Sequence, residues 1–333
     1  MQPKAYITKL DKDYADCIRS GLTWIRAVEL IKSSSRIFIK PNLTFPTYQP
    51  GVMTSPQAVE AAILVLREYT PHIFIGDSDS GGYNRFSMDQ VYVETGIVEF
   101  ARKYDVKVVN LSQEPRSQIH FTYRNKKFTL DLPRLLTDEI DLMVTMPVPK
   151  VHANTGVSLT FKNQWGCIPE NKDRLRLHPY LKHVILEVCK ACKTKIAIVD
   201  GTYGLNVNGP LRGVPVRLDW LMVADDIGAG ARVATELMQI RLESISHLSY
   251  AKKQGLIPEL EEIHLNKSLD GFKKEKFYLK RQWTDLPGVL AYNNSFIAYL
   301  GYFSPVSDLL HRILYRFREP FYDYKKYVTN KSK

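Results

Sequence analysis

Within one polar stretch, VHANTGVSLTFKNQWGCIPENKDRLRLHPYL (Val151–Leu181), the chain sets out His152, Lys162, Asn163 and His178. Imidazole is the usual general base near neutral pH and a common metal ligand. An amine such as that of Lys162 contacts phosphate or, once desolvated, acts as a nucleophile. A linker would be made of Gly, Ser, Pro and charge. A lone histidine is more often a hydrogen-bonded core residue. Two of them flanking a lysine, in a segment short of helix periodicity, read as a site.

Other polar groups follow apolar runs. IFIKPN ends at Lys40 and Asn42, and IFIGDSDSGG at Asp77, Ser78 and Asp79. VTMPVPK ends at Lys150, with His152 and Thr155 beyond it, and IAIVDG ends at Asp200. One such ending is turn chemistry. Four suggest convergence, because ligands of open parallel sheets bind beyond the carboxyl ends of the strands. The expected catalytic set is His152, Lys162 and Asp77. Lys40, Asn42, Ser78, Lys150, Thr155, Asn163 and Arg212 are expected at the ligand, and His178 and Asp200 at a metal. Gly76, Gly81 and Gly82 allow close backbone approach to an anion, although the loop matches neither the P-loop nor GxGxxG. Asp77 and Asp79 would repel a phosphate unless a metal or a ligand hydroxyl intervened. Arg212 lies in NGPLRG, a turn by composition, where it can clamp a carboxylate or phosphate. Cys189 and Cys192 have no second pair and read as buried helix thiols. His183, five residues after His178 in a helical pattern, is expected to face elsewhere.

These groups need elements to position them. AYITKL reads as a strand and YADCIRSGLTWIRAVELI as an amphipathic helix. RIFIKPNL, HIFIGDS and VKVVNLS are buried-strand runs, separated by the helices TSPQAVEAAILVLREY and DQVYVETGIVEFARKY. Thr54 or Ser55 can cap the first of these, with Pro56 in its first turn. QIHFTYRNKKFTLDL reads as a hairpin, DLMVTMPV and KIAIVDGTYG as further strands, and FKKEKFYLKRQW as a late strand. PYLKHVILEVCKACK and DDIGAGARVATELMQI are helical, the second capped by Asp225 or Asp226. The alternation predicts an α/β fold: a mostly parallel sheet flanked by helices, two-lobed around a central crevice. The α/β region is expected over residues 1–271, with a second lobe around 140–225, and a basic amphipathic extension over 272–333.

Lys and Arg number 46 against 35 Asp and Glu, a net charge of +11. That balance favours an anionic partner, whether a phosphorylated ligand, an acidic membrane surface or nucleic acid. The basic excess is not packed into one tract and carries no RNA-binding signature, so nucleic acid is not expected. Four cysteines form no disulfide framework at this length, no apolar signal region opens the chain, and no apolar run reaches about 18 residues. The expected location is cytoplasmic, with peripheral contact at the inner membrane face. In PVSDLLHRILYRF, Val306, Leu309, Leu310, Ile313, Leu314 and Phe317 form an apolar helical stripe, with His311, Arg312 and Arg316 off it. Such a helix lies on an acidic membrane or packs on its own domain.

Taken in order, KPN, TSPQAVEAAILVLRE, GDSDSGG, PVPKVHANTGVSLTFKNQWG, HPYL, IVDGTYG, NGPLRG and VADDIGAGA resemble the domain-of-unknown-function 362 family, from about Ile37 to Gly271. Some members of that family carry cysteine runs for an iron–sulfur cluster. This chain has none, so no such cluster is expected. The spacing of His152, Lys162 and His178 more distantly resembles the core of nickel-pincer lactate racemases. That resemblance implies Lys162 as a covalent anchor for a nickel-pincer nucleotide, His178 as a ligand to nickel or another divalent metal, and His152 as an acid/base. Where those enzymes keep a further catalytic histidine, GDSDSGG has Asp77 and Ser78. The expected function is an enzyme binding a nucleotide-like or phosphorylated anion. The alternative is a non-catalytic anion-binding or membrane-surface scaffold protein.

Overall fold

The computed structural model of the chain describes residues 2–80 and 86–317. Strand β1 (Lys4–Lys9) is followed by α1 (Tyr14–Trp24), α2 (Ala27–Leu30), β2 (Ile37–Pro41), α3 (Pro56–Leu66) and β3 (Ile73–Asp77). Next come α4 (Met88–Glu94), α5 (Ile97–Tyr104), β4 (Lys107–Asn110), the hairpin β5 (Arg116–Tyr123) and β6 (Lys126–Pro133), and β7 (Leu142–Met146). The segment singled out by its chemistry holds β8 (Lys150–His152), β9 (Gly156–Ser158), α6 (Thr160–Asn163) and α7 (Asn171–Leu177). It leads into α8 (Leu181–Ala191), β10 (Thr194–Asn206), β11 (Val214–Ala224), α9 (Ile227–Leu237) and α10 (Ser246–Lys253). The short strand β12 (His264–Leu265) precedes α11 (Leu286–Asn293), α12 (Ser295–Tyr302) and α13 (Ser307–Leu314).

Ten strands join one mixed, mostly parallel sheet whose main path runs β12-β1-β11-β10-β7-β2-β3-β4. Every residue of β2, β3 and β7 is buried, as expected of apolar runs covered on both faces. Side chains alternate between two cores. Phe38, Phe74 and Met143 join the one that includes α8 and α9, and Ile37, Ile39, Ile75 and Val144 the one that includes α1 and α3. From β2 the chain builds outward through β3 to β4, then returns to place β7 and β10 on the other side of β2. The strand order therefore reverses between β2 and β7, whose ends pair Lys40 with Thr145 and Pro41 with Met146. A crevice opens at such a reversal because the connections leave in opposite directions. The strands of residues 140–225 hydrogen-bond into this same sheet rather than a separate one.

Several expected elements change form. The first long helix is interrupted at Arg26, which adopts a left-handed conformation, and the third at Gly96, which does the same. The hairpin turns at Arg124 and Asn125, both with positive φ, the geometry that suits a two-residue turn to the twist of its strands. Strand β11 was not anticipated. It pairs antiparallel with both β10 and β1, so β1 does not extend the parallel array. FKKEKFYLKRQW forms no extended strand ladder: it makes one isolated bridge, Leu279 with Val207, where Lys280 N–H donates to Val207 O, and Phe277 N–H donates instead to Met238 O. Ser55 caps α3 by accepting from Ala58 N–H, and Asp226 caps α9 through Ala229 N–H.

Candidate anion site at the strand reversal

The crevice holds a cavity of about 130 Å³. Strand β2 delivers Lys40 and Asn42 to it, β3 delivers Asp77 and Ser78, and β8 delivers Lys150 and His152. Helix α6 adds Lys162 and Asn163, and α7 adds Arg174. The polar segment after β7 runs off the main strand path, with β8 still paired to β10 and β9, and forms this wall. Its short hairpin β8–β9 returns the chain over the strand ends, and Asn163 pins α6 there by donating to Lys40 O and Thr145 Oγ1, both at 2.9 Å. Gly166 must be glycine for the wall to close, since a Cβ would meet Asp77 Oδ1 at 2.5 Å. Ser78 Oγ donates to Gly166 O and ties the opposite wall to the same turn.

The lysines are held differently. Lys40 Nζ pairs with Asp77 Oδ2 at 2.6 Å, both groups almost wholly buried. Lys150 Nζ rests on neutral oxygens: Val52 O at 2.7 Å, Thr44 Oγ1 at 3.1 Å and Asn42 Oδ1 at 3.4 Å. Lys162 is half-buried and lies 5.9 Å from the centre of the Trp165 ring. Arg174 donates to Asp79 O and Asn171 Oδ1. Desolvation and nearby positive charge bring the Lys150 and Lys162 amines down to about 7, with Lys162 and Lys40 adding to the repulsion on Lys150, and Arg174 and Lys40 to that on Lys162. Desolvation also lowers the Arg174 guanidinium to about 10.

The histidines are neutral for the same reason. Desolvation, with Lys162 next, pushes His152 well below the usual imidazole range and brings His178 and His247 to about 3. His152 Nδ1 accepts Asn154 N–H at 3.1 Å. A neutral imidazole that accepts at Nδ1 carries its proton on Nε2. His152 therefore presents an Nε2–H donor in its resting form.

Of the expected residues, Lys40, Asn42, Asp77, Ser78, Lys150, His152, Lys162 and Asn163 come together around one cavity. His178 stands behind this wall, stacked 5.7 Å from the Trp165 ring and tilted 44° to that of Tyr292 at 4.9 Å. Thr155 turns away and donates to Val157 O, and Arg212 is not among the cavity-lining residues. Asp200 organises the start of α3, accepting from Ser55 N–H at 2.8 Å and from the Thr202 hydroxyl at 2.6 Å. His183 packs between Tyr123 and Tyr250. Gly81 and Gly82 lie outside the described residues. Arg174 and Trp165 went unrecognised, although Arg174 is four residues before His178 and so on the same helical face. His247, buried on α10, gave no signal at all. Among the described residues, no cluster of three or more His, Cys, Asp or Glu side chains can hold a metal ion. Among the described cavity-lining residues Asp77 is paired with Lys40, which leaves His152 as the one imidazole there, a donor set that does not fit a divalent metal.

An α/β protein with a cation-lined crevice at a strand reversal is the class that fold and site define. The chain belongs to the family described as Domain of unknown function (DUF362), which matches residues 37–236. A thylakoid-associated protein of Synechocystis sp. is 26% identical over 245 residues, 70% of this chain and 72% of that protein. The lactate racemase apoprotein from Thermoanaerobacterium thermosaccharolyticum aligns with 72% of this chain and 57% of its own, at a TM-score of 0.43 and 14% identity. A Thermotoga maritima protein aligns with 59% of this chain and 52% of its own, at a TM-score of 0.38 and 13% identity. Among the described residues no helix is long and apolar enough to cross a membrane.

Proposed function

We propose that the chain is an enzyme that binds a small dianion in this cavity and exchanges a proton with it through Lys162. One observation carries the reading: Lys40, Lys150, Lys162 and Arg174 line a cavity in which Asp77 is the one carboxylate among the described lining residues. Asp77 is committed to Lys40, so the remaining cations face neutral oxygens or open space. A phosphate or dicarboxylate supplies the missing charge, with charge-assisted hydrogen bonds. The volume favours a small ligand. A cavity of about 130 Å³ is small beside the roughly 300–1,000 Å³ of drug-sized sites, and its volume suits a phosphate group or a short acid.

The roles divide by surroundings, since Lys150 and Lys162 share a value of about 7 but Lys150 Nζ is held by three neutral oxygens and Lys162 is half-buried beside Trp165. Lys150 and Arg174 position the anion. His152 donates from Nε2–H without carrying charge. Lys162, poised at about 7, is the group whose proton moves at neutral pH. Calorimetric titration with inorganic phosphate, pyrophosphate and sulfate tests the reading. Binding tighter than about 1 mM is expected for at least one, with proton uptake as the lysines become fully charged. Absence of binding by all three rejects it.

A further inference from the structure

Helices α11–α13 present an apolar face that the rest of the described chain does not cover. Of the seventeen large hydrophobic side chains exposed among the described residues, ten lie between Trp283 and Phe317. Phe296 is 69% exposed, Trp283 63% and Leu309 59%. Helices α11 and α12 pack on the body through the turn at 178–180 and α7, and Ala291 and Ala298 are buried. From Leu286 to Ser307 the chain has no charged residue. Exposed apolar surface concentrated in this way marks a contact rather than ordinary surface composition.

We infer that this face docks on a lipid bilayer with acidic headgroups. The inference rests on the C-terminal helices alone and is independent of the cavity reading. Charge selects the occupant. Over residues 307–317, Arg312 and Arg316 outnumber Asp308, and residues 318–333 add five basic side chains (Arg318, Lys325, Lys326, Lys331, Lys333) to two acidic ones (Glu319, Asp323), a net +3. A second copy would meet the face with the same patch, since a two-fold contact is self-complementary, and would bring like charges together. An acidic bilayer offers the opposite charge together with a medium for Phe296, Leu309, Leu310 and Ile313. The eight-residue helices are each only about 12 Å long, so they lie in the interface rather than span it. The docking helices also brace the cavity: α12 packs on α7, which carries Arg174, and Tyr292 of α11 contacts His178. Docking face and cavity share that wall.

The test uses the full-length chain and sedimented vesicles of phosphatidylcholine alone, or with about one third phosphatidylglycerol. Co-sedimentation is expected with the acidic vesicles, weakening as salt rises, with a blue shift of Trp283 emission. Leu309→Ser, Ile313→Ser and Phe317→Ser combined should lower that binding by about a hundredfold while leaving the melting temperature and sulfate binding unchanged. Failure to sediment with acidic vesicles overturns the proposal. So does binding that survives in the triple variant, which would place the contact elsewhere. A large fall in that variant's melting temperature, or a concentration-dependent dimer that it abolishes, also overturns it, because the face would then already be covered by the chain or by a second copy.

Discussion

The cavity and the C-terminal helices depart from ordinary globular construction in opposite directions. Around the cavity, ammonium groups are withdrawn from water with less negative charge than they need. On α11–α13, hydrocarbon stands in water with less cover than it needs. Each arrangement carries a free-energy cost in the isolated chain, one through desolvation of charge and the other through apolar hydration. The costs respond to different agents: a small anion relieves the first and an apolar surface the second. Substitutions on the exposed side chains of α13, away from the wall that α11 and α12 share with the cavity, should therefore leave the cavity unmoved, and this separation can be broken experimentally.

The largest effect is expected at the buried Lys40–Asp77 ion pair. Asp77→Asn leaves Lys40 buried without its counterion and keeps only part of the acceptor set for Leu43 N–H and Ser78 N–H. Loss of a buried partner costs about 3–5 kcal/mol, readable by urea unfolding. Sulfate should restore part of it. A loss below about 1 kcal/mol would show that the pair is solvated, and the contrast between the two regions would weaken.

Lys162 should behave in the opposite way. Replacing it by methionine, Lys162→Met, removes a desolvated charge and keeps most of the shape. Sulfate affinity should fall at least about tenfold, while stability without ligand is unchanged or rises by about 1 kcal/mol. A variant that loses stability and keeps affinity would make Lys162 a structural residue.

The same charges set a pH dependence. Lys150 and Lys162 sit near 7 in the folded chain and near 10.4 when unfolded. Between pH 7 and pH 9 the unfolded chain therefore holds more protons on these groups, so stability should rise with pH, by order of 1 kcal/mol per unit for each lysine. Saturating sulfate raises the folded values and should flatten the slope, and Lys162→Met should remove part of it. A slope that falls with pH in this window contradicts the charge-poor cavity.

Legibility followed the same division. Lys40, Asp77 and Lys150 could be placed from the sequence because each ends or follows a largely apolar run, and a parallel sheet brings such ends to one edge, whereas Lys162 stood out between His152 and His178. Arg174 was hidden in NKDRLRL, which reads as a charged surface helix until α7 folds back over the cavity. The donor state of His152 depends on one backbone N–H, from Asn154, that no spacing rule reveals. Strand β11 escaped because VPVRLDWLMVA begins in a polar alternation and only later becomes an apolar run. The C-terminal stripe was visible as a pattern, but a periodic stripe is the same whether it packs inward or faces out. Exposure had to come from the structure.

The smallest effect is expected on that exposed stripe, and its smallness is the point of the measurement. Leu310 and Ile313 are 45% and 49% exposed. Leu310→Gln and Ile313→Gln therefore remove hydrocarbon that the folded chain has left largely in water. Folding gains little from such side chains, so each change should alter the unfolding free energy by less than about 0.5 kcal/mol in the absence of vesicles. A buried leucine truncated to alanine would instead cost about 2–5 kcal/mol. Urea unfolding distinguishes these cases readily. A loss of about 2 kcal/mol or more would mean that the stripe is packed in solution, and the two regions would then no longer differ in kind: the charged cavity alone would await a partner.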